Sequence, residues 1–239
     1  MRTALRLALT AASASRITDF IALGGLGSAS FNFTAPAEAK AVRIYRCTSG
    51  AVLDRVAHLL ETRSVSPGQP VSGSEGDLTR TNLLTNPGFA ADTDWTKGTG
   101  WTIGSGQATH AAGTSSILQQ AVATLGAASV GAFFRSGITT ASISGASASA
   151  TMRLIGGTSV NIAAATAAGV KLGRGAKVSG NTDFGIVCTA VSAATIDDLV
   201  LFDETVTCMT QGVYDYYVEP LNSAGAPGAL SVQQAVVVY

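Results

Sequence analysis

The chain has 239 residues, enough for one large domain or two of ordinary size, each with its own core. Fifteen Lys and Arg balance fifteen Asp and Glu, and charged residues make up only 13% of the chain, which leaves no basic surface to track phosphates and excludes nucleic acid as an expected partner. Mean hydropathy is +0.33, drawn mostly from alanine, and no run approaches the ~18 consecutive apolar residues of a membrane span.

At the N-terminus, MRTALRLALTAASASR imitates a secretion signal, with Arg2, Arg6, a short apolar stretch and the small residues Ala14 and Ser15. The alternative reading, preferred here, is a short docking segment over 1–15, helical because Leu5 and Leu9 lie four apart on one face. From Arg16 the pattern turns to β. ITDFIALGG precedes ASFNFTAP, where Phe31 and Phe33 alternate with polar neighbours and Pro36 stops the strand. The glycines of IALGGLGSAS do not match a dinucleotide fingerprint and are expected to form a bend between strands. In AKAVRIYRC, Val42 and Ile44 point one way and Arg43 and Tyr45 the other. Periodicity leaves DRVAHLLETR open between a helical turn and a strand, and SVSPGQPVSGSEGD, residues 64–77, reads as strand edge giving way to linker.

A second composition begins at Leu78. Turn signals at Asn86, Pro87 and Gly88 and around Gly98 to Gly106 precede short β-type runs, among them SILQQAVAT, ATMRLIGG, SVNIAAAT, FGIVCTAV and ATIDDLVLF. Many short strands with small-residue turns predict a sandwich or jelly roll. The chain then returns to its first style with GVYDYYVEPLNSAG and a last strand, ALSVQQAVVVY.

Two motifs carry resemblances, one nested in the other. GVYDYYVEPLNSAG resembles the penultimate strand of a fibronectin type III domain, especially of the kind found in structural proteins of tailed bacteriophages. The resemblance implies that Tyr214 is a corner tyrosine bonding back to upstream backbone, that Tyr216 and Val218 point inward, and that Asn222 to Gly225 turn the chain into the last strand. The opening strands of that domain match residues 17–47. The stretch NLLTNPGFAADTDWTKGTGWTIGSGQATH is similar to the opening of carbohydrate-binding-module-like jelly rolls, and ATIDDLVLFDE, residues 194–204, approximates their closing strand. The expected architecture is therefore all-β: an Ig/fibronectin-III-like sandwich over 16–77 and 205–239, interrupted by an inserted jelly roll over 78–204. Insertion at an exposed loop is physically cheap, since each doubling of loop length costs only ~0.6 kcal/mol and the insert orders itself.

The function these resemblances imply is a non-enzymatic virion component of a tail, fibre or capsid surface. It would work as a homo-oligomer among other virion subunits, with the jelly roll touching host surface polysaccharide. A sparsely charged surface, prone to associate, suits such a subunit. A bacterial adhesin and an accessory module of a polysaccharide-degrading enzyme are the rival readings. No Gly-x-Ser-x-Gly, His-Glu-x-x-His, Walker or Cys-x-x-Cys motif is present, and the two histidines, His58 and His110, fall in different expected domains. Asp92, Asp94, Asp197 and Asp198 supply carboxylates without defining a glycosidase pair. Trp101 is the candidate sugar-stacking platform with His110 at its rim, whereas Trp95 is expected to be structural. The jelly-roll resemblance also implies a structural Ca²⁺, but Ala90 stands where its acidic ligand is usual, leaving Asp197 and Asp198 as weak candidates, and no cofactor is expected. Cys47, Cys188 and Cys208 are read as buried thiols, with a Cys47–Cys208 bridge as the alternative if both share a domain.

Overall fold

The computed structural model describes residues 13–239, so the docking segment expected over 1–15 lies almost wholly outside the described residues. In chain order the strands are β1 (Ile21–Gly24), β2 (Ser28–Thr34), β3 (Ala41–Thr48), β4 (Leu59–Ser64), β5 (Pro70–Gly76), β6 (Thr96–Lys97), β7 (Trp101–Gly104), β8 (Gln107–His110) and β9 (Ser116–Ala121). After the one-turn helix α1 (Ala123–Ala127) come β10 (Phe133–Ser144), β11 (Ala150–Ile155), β12 (Val160–Ala165), β13 (Gly169–Ala176), β14 (Asp183–Cys188), β15 (Ala193–Asp203), β16 (Gly212–Leu221) and β17 (Gln234–Val238). The fold is all-β, built from sandwiched antiparallel sheets, and among the described residues no helix is long and apolar enough to cross a membrane. The chain divides into two compact units. Unit 1 takes the described residues up to Glu75 and resumes over Gly212–Val238; unit 2 takes Gly76–Gln211 together with Tyr239.

Unit 1 is a seven-stranded sandwich. One sheet runs β1-β2-β5 and the other β17-β16-β3-β4. Alternation dictates what is inside: Phe31 and Phe33 from β2, Val42 and Ile44 from β3, Tyr216 and Val218 from β16, and Val236 and Val238 from β17 are all buried. Each such side chain contributes about 1.5–3 kcal/mol by leaving water. The glycine-rich bend after β1 closes through Gly25 N–H donating to the Ser28 carbonyl, with Gly27 at φ 66°. Gly24 is required for a different reason: a Cβ there would sit 1.8 Å from the Val237 carbonyl oxygen, so β1 can lie against β17 only without a side chain. DRVAHLLETR resolves into a turn followed by β4. Within 64–77, expected to be strand edge giving way to linker, lies the edge strand β5, whose single buried side chain is Val71.

Unit 2 packs two five-stranded sheets, β13-β10-β15-β8-β7 and β12-β11-β14-β9-β6. Its core comes from the inward registers of both: Ile138, Leu199 and Leu201 face Leu118, Met152, Leu154, Phe184 and Ile186. SILQQAVAT is a strand only to Ala121; the rest turns into α1, whose last carbonyls at Gly126 and Ala128 accept from the buried Lys177 Nζ at 2.8 and 2.6 Å. The boundary after the insert falls later than position 205. Thr205 Oγ1 donates to Asp77 at 2.7 Å, the buried Arg135 donates to the Met209 carbonyl, and Gln211 Nε2 donates to the Ser136 carbonyl at 3.1 Å. These bonds hold 205–211 to unit 2, so unit 1 resumes at Gly212.

Candidate functional site

The two residues expected to form a sugar platform are interior. Trp101 opens β7 directly opposite His110 on β8, and its indole is only 5% exposed. The ring centroid lies 5.0 Å from that of His110, which is fully buried with Nδ1 2.7 Å from the Ser192 carbonyl and Nε2 3.2 Å from that of Thr114. No sugar ring can stack on either group in this fold. The burial has a local cause: Ile103 and Trp101 share a face of β7, and the tight turn at Gly98 to Gly100 swings that face onto the core. Trp95 is structural, tilted against Phe89 at 5.4 Å and donating from its indole nitrogen to the Asn86 carbonyl at 3.1 Å.

The carboxylates do not assemble into a reaction centre or an ion cage. Asp92 holds Lys97 at 2.6 Å, and Asp94 accepts from Thr93 Oγ1 at 2.7 Å. Asp197 and Asp198 sit beside Gly88, but Asp197 Oδ1 already accepts the Asp198 N–H at 2.7 Å. With Ala90 exposed and carrying a methyl, these side chains fall short of the six to eight oxygens calcium takes, and the residues present do not fit the ion. Among the described residues no group of three or more His, Cys, Asp or Glu is placed to hold a metal.

Unit 1 contains two carboxylates gripped by phenols and guanidinium groups. Glu219, 1% exposed, accepts from Tyr45 Oη at 2.7 Å and pairs with Arg55 at 2.9 Å and Arg43 at 3.4 Å. Glu75 accepts from the buried Tyr216 Oη at 2.5 Å and pairs with Arg46 at 2.8 Å. Burial, reinforced by the hydrogen bond to Glu219, pushes the Tyr45 hydroxyl up to about 12, and burial together with Glu75 raises that of Tyr216 further. Such groups lock strands; they are not poised to exchange protons near neutrality. Unit 1 carries two hollows. One, of about 430 Å³, is lined by residues 15–19 and 34–38; the other, of about 230 Å³, lies between β4 and β5 over Phe31, Ile44 and Leu60. In neither does a lining Ser hydroxyl hydrogen-bond to a lining carboxylate.

Tyr214 lies half-buried on β16 with the Arg46 guanidinium 5.2 Å above its ring. Asn222 builds the turn after β16: its Oδ1 accepts from the N–H groups of Ala224 and Ala226, both at 2.9 Å, and its carbonyl accepts from Gly225, which sits at φ 76°. All three cysteines are free thiols, Cys47 and Cys188 buried and Cys208 half-buried; Cys47 lies in unit 1 and Cys208 in unit 2, which removes the bridge.

One polar row is not evident from the sequence. On the sheet β12-β11-β14-β9-β6, register aligns Asn161, Arg153, Gly185, Gln119 and Thr96 in one row across all five strands. Their chain neighbours Met152, Leu154, Phe184, Ile186, Leu118 and Trp95 are core, so the row faces outward. Arg153, half-buried in its centre, has no hydrogen bond or ion pair among the described residues, and its Nε is fully shielded without an acceptor. The signal in the sequence was only an arginine between the apolar residues of ATMRLI.

No family model matches the chain, and no curated protein matches it. Among solved structures, the human OSCAR ligand-binding domain is 11% identical, with a TM-score of 0.19, covering 95% of this chain and 100% of its own. The collagen adhesin CNA from S. aureus is 10% identical at a TM-score of 0.14, covering 95% of each chain. The collagen-binding domain of Erysipelothrix rhusiopathiae surface protein RspB is 9% identical at 0.13, covering 95% of this chain and 100% of its own. Scores this low carry no argument about function, and the site has to be read from its own residues.

Proposed function

We propose that the chain is a non-catalytic structural subunit of a tailed-phage or phage-like particle, in which unit 1 is a fibronectin-III-like mounting and unit 2 a jelly-roll module that meets host surface glycan. One observation carries the reading: a seven-stranded sandwich, ordered β1-β2-β5 and β17-β16-β3-β4, is opened between β5 and β16 to admit a second sandwich with complete sheets of its own. The alternation of Tyr214, Tyr216 and Val218, with the Asn222 turn after it, supports the fibronectin-III assignment, in which Tyr214 would be the corner tyrosine. A mounting unit needs subunit contacts, and exposed Ile21, Leu23, Val52 and Val56 offer apolar ones on a chain of low charge. Repeated display would raise weak single-site glycan affinities by ~10² to 10⁴. The test is location: purified particles of the source phage or lysogen, analysed by mass spectrometry and electron microscopy with an antibody to unit 2, are expected to contain many copies. Absence from intact particles, or hydrolysis of polysaccharide by the purified chain, overturns the proposal.

A further inference from the structure

Among the described residues, Arg153 differs from every other arginine that is at least half-buried. Arg43 pairs with Glu219, Arg46 with Glu75, Arg63 with Glu61, Arg80 with Asp77 and Asp203, and Arg135 with Glu204. Each other sheltered guanidinium among the described residues meets a carboxylate, and one is left without, in the middle of an outward sheet face. Its Nε is covered, while its terminal nitrogens reach the surface with no protein acceptor. A charge sheltered in this way is retained at a cost in solvation unless something outside the chain supplies the counter-charge.

The surroundings say what that something is. The charged groups nearest this row are engaged elsewhere: Asp183, two residues along β14 on the same face, takes Thr182 Oγ1 at 2.9 Å and Gln119 Nε2 at 3.5 Å, and Lys97 on β6, in register with the core residue Leu118 and so not on this face, is held by Asp92. Neither forms an ion pair with Arg153. Gly185 stands directly opposite Arg153 with no side chain, and Ile155 lies across it, since a Cβ at 185 would meet Ile155 Cδ1 at 2.6 Å. Ile117 and Val187 extend this apolar floor in the row on the other side, half-buried. The amides of Gln119 and Asn161 stand on either side of the arginine in the same row, which spans five strands, or ~19 Å at ~4.8 Å per strand. A guanidinium fork fits a carboxylate, carboxamides fit hydroxyls, and an aliphatic floor fits the C–H face of a pyranose.

We infer that this face is a binding site for an acidic polysaccharide, with Arg153 receiving the carboxylate of a uronic acid. The inference rests on the proposed role of unit 2 in meeting glycan, and it names the class of glycan. Binding of polygalacturonate and alginate oligomers to the full chain is measured calorimetrically, beside carboxyl-reduced polygalacturonate, which keeps the sugar and loses the charge, and polyglutamate, which keeps the charge and loses the sugar. The expected result is binding of an acidic oligomer, weakened about tenfold or more by Arg153→Gln and partly restored by Arg153→Lys, with the carboxyl-reduced polymer and polyglutamate bound weakly or not at all. Circular dichroism and melting temperature of both variants establish that they fold; since Arg153 has no partner to lose, both are expected to melt like the parent. The inference is overturned if Arg153→Gln binds as the parent does, if the carboxyl-reduced polymer or polyglutamate binds as well as the acidic sugar, or if no acidic oligomer binds. Binding of a neutral glycan alone overturns it while leaving the display function standing, which is judged separately by presence in particles.

Discussion

Replacing Tyr45 by Phe tests whether a charged network holds the outward face of β3 and β16 in unit 1. Tyr45 is fully buried, and its hydroxyl donates at 2.7 Å to Glu219, itself 1% exposed. A hydrogen bond to a charged acceptor contributes about 1.5–3 kcal/mol. Two features reduce the cost of losing this one. Glu219 keeps Arg55 and Arg43, and those guanidinium groups are 55% and 37% exposed, so water shares in solvating the carboxylate. The expected loss is therefore about 1–2 kcal/mol. Glu219→Gln should cost more, about 2–3 kcal/mol, because it places an amide N–H₂ where two guanidinium groups require an acceptor. The aromatic residues separate the readouts: Tyr45, Tyr214, Tyr216 and Tyr217 belong to unit 1, while Trp95 and Trp101 belong to unit 2. Urea unfolding followed by tyrosine near-ultraviolet dichroism reports chiefly unit 1, since of the five tyrosines only Tyr239 lies in unit 2, and tryptophan emission reports unit 2. The tyrosine midpoint should fall with an unchanged slope while the tryptophan midpoint stays in place. An unmoved tyrosine midpoint in Tyr45→Phe, or an equal fall in both signals, would refute the reasoning.

Acid should weaken unit 2 through Glu204, whose carboxyl is held below its ordinary value of 4.5 by hydrogen bonds from Arg174 and Arg135. A depressed carboxyl stabilises the fold above its unfolded value, and that contribution is lost as pH falls through the folded one. Glu204→Gln should thus lower stability by about 2–3 kcal/mol at neutral pH and flatten the tryptophan-reported decline below pH 4.5; an acid limb as steep as the parent's would count against it. Burial pushes the Cys188 thiol up to about 12, so a thiol reagent at pH 8 should label the half-buried Cys208 quickly in the native protein and Cys188 only on unfolding. Equal labelling rates would show that the core of unit 2 opens readily. A chain with 77–211 replaced by a short Gly-Ser linker should keep unit 1 folded with a cooperative tyrosine-reported transition, because all seven strands and both carboxylate locks remain; a molten product would show that unit 1 cannot stand alone.

Sequence patterning carried the strands further than the sites. Alternation grouped Phe31 with Phe33 and Val42 with Ile44, the resemblance turned Tyr216 and Val218 inward, and all six are buried, because period-two burial is a local property of each strand. The stretch 64–77 misled for the same reason in reverse: β5 is an edge strand with one buried side chain, so its composition is that of a linker. The return at Gly212 was hidden because what ties 205–211 to unit 2 is a set of bonds to Asp77, Arg135 and Ser136, far away in sequence. Trp101 looked like a platform because aromatic residues near glycine turns serve both surfaces and cores; only pairing with His110 decides which. Arg153 was invisible for a deeper reason. What marks it is a missing partner, and the absence of a contact is written nowhere in a linear chain.

The interruption of unit 1 has a consequence for its birth on the ribosome. Strands β1 to β5 leave the exit tunnel first, but β3 must pair with β16, which follows after the 136 residues of Gly76–Gln211. At ~5–20 residues per second this is a delay of roughly 7–27 s. During it, β3 has no β16 partner, and Val42, Ile44, Phe31 and Phe33 lack the surface that will cover them. Unit 2, contiguous in sequence, can close its sheets before its host does. The later-encoded domain therefore matures first, and the earlier one spends its youth as an open half-sandwich whose fate depends on how briskly its guest is translated.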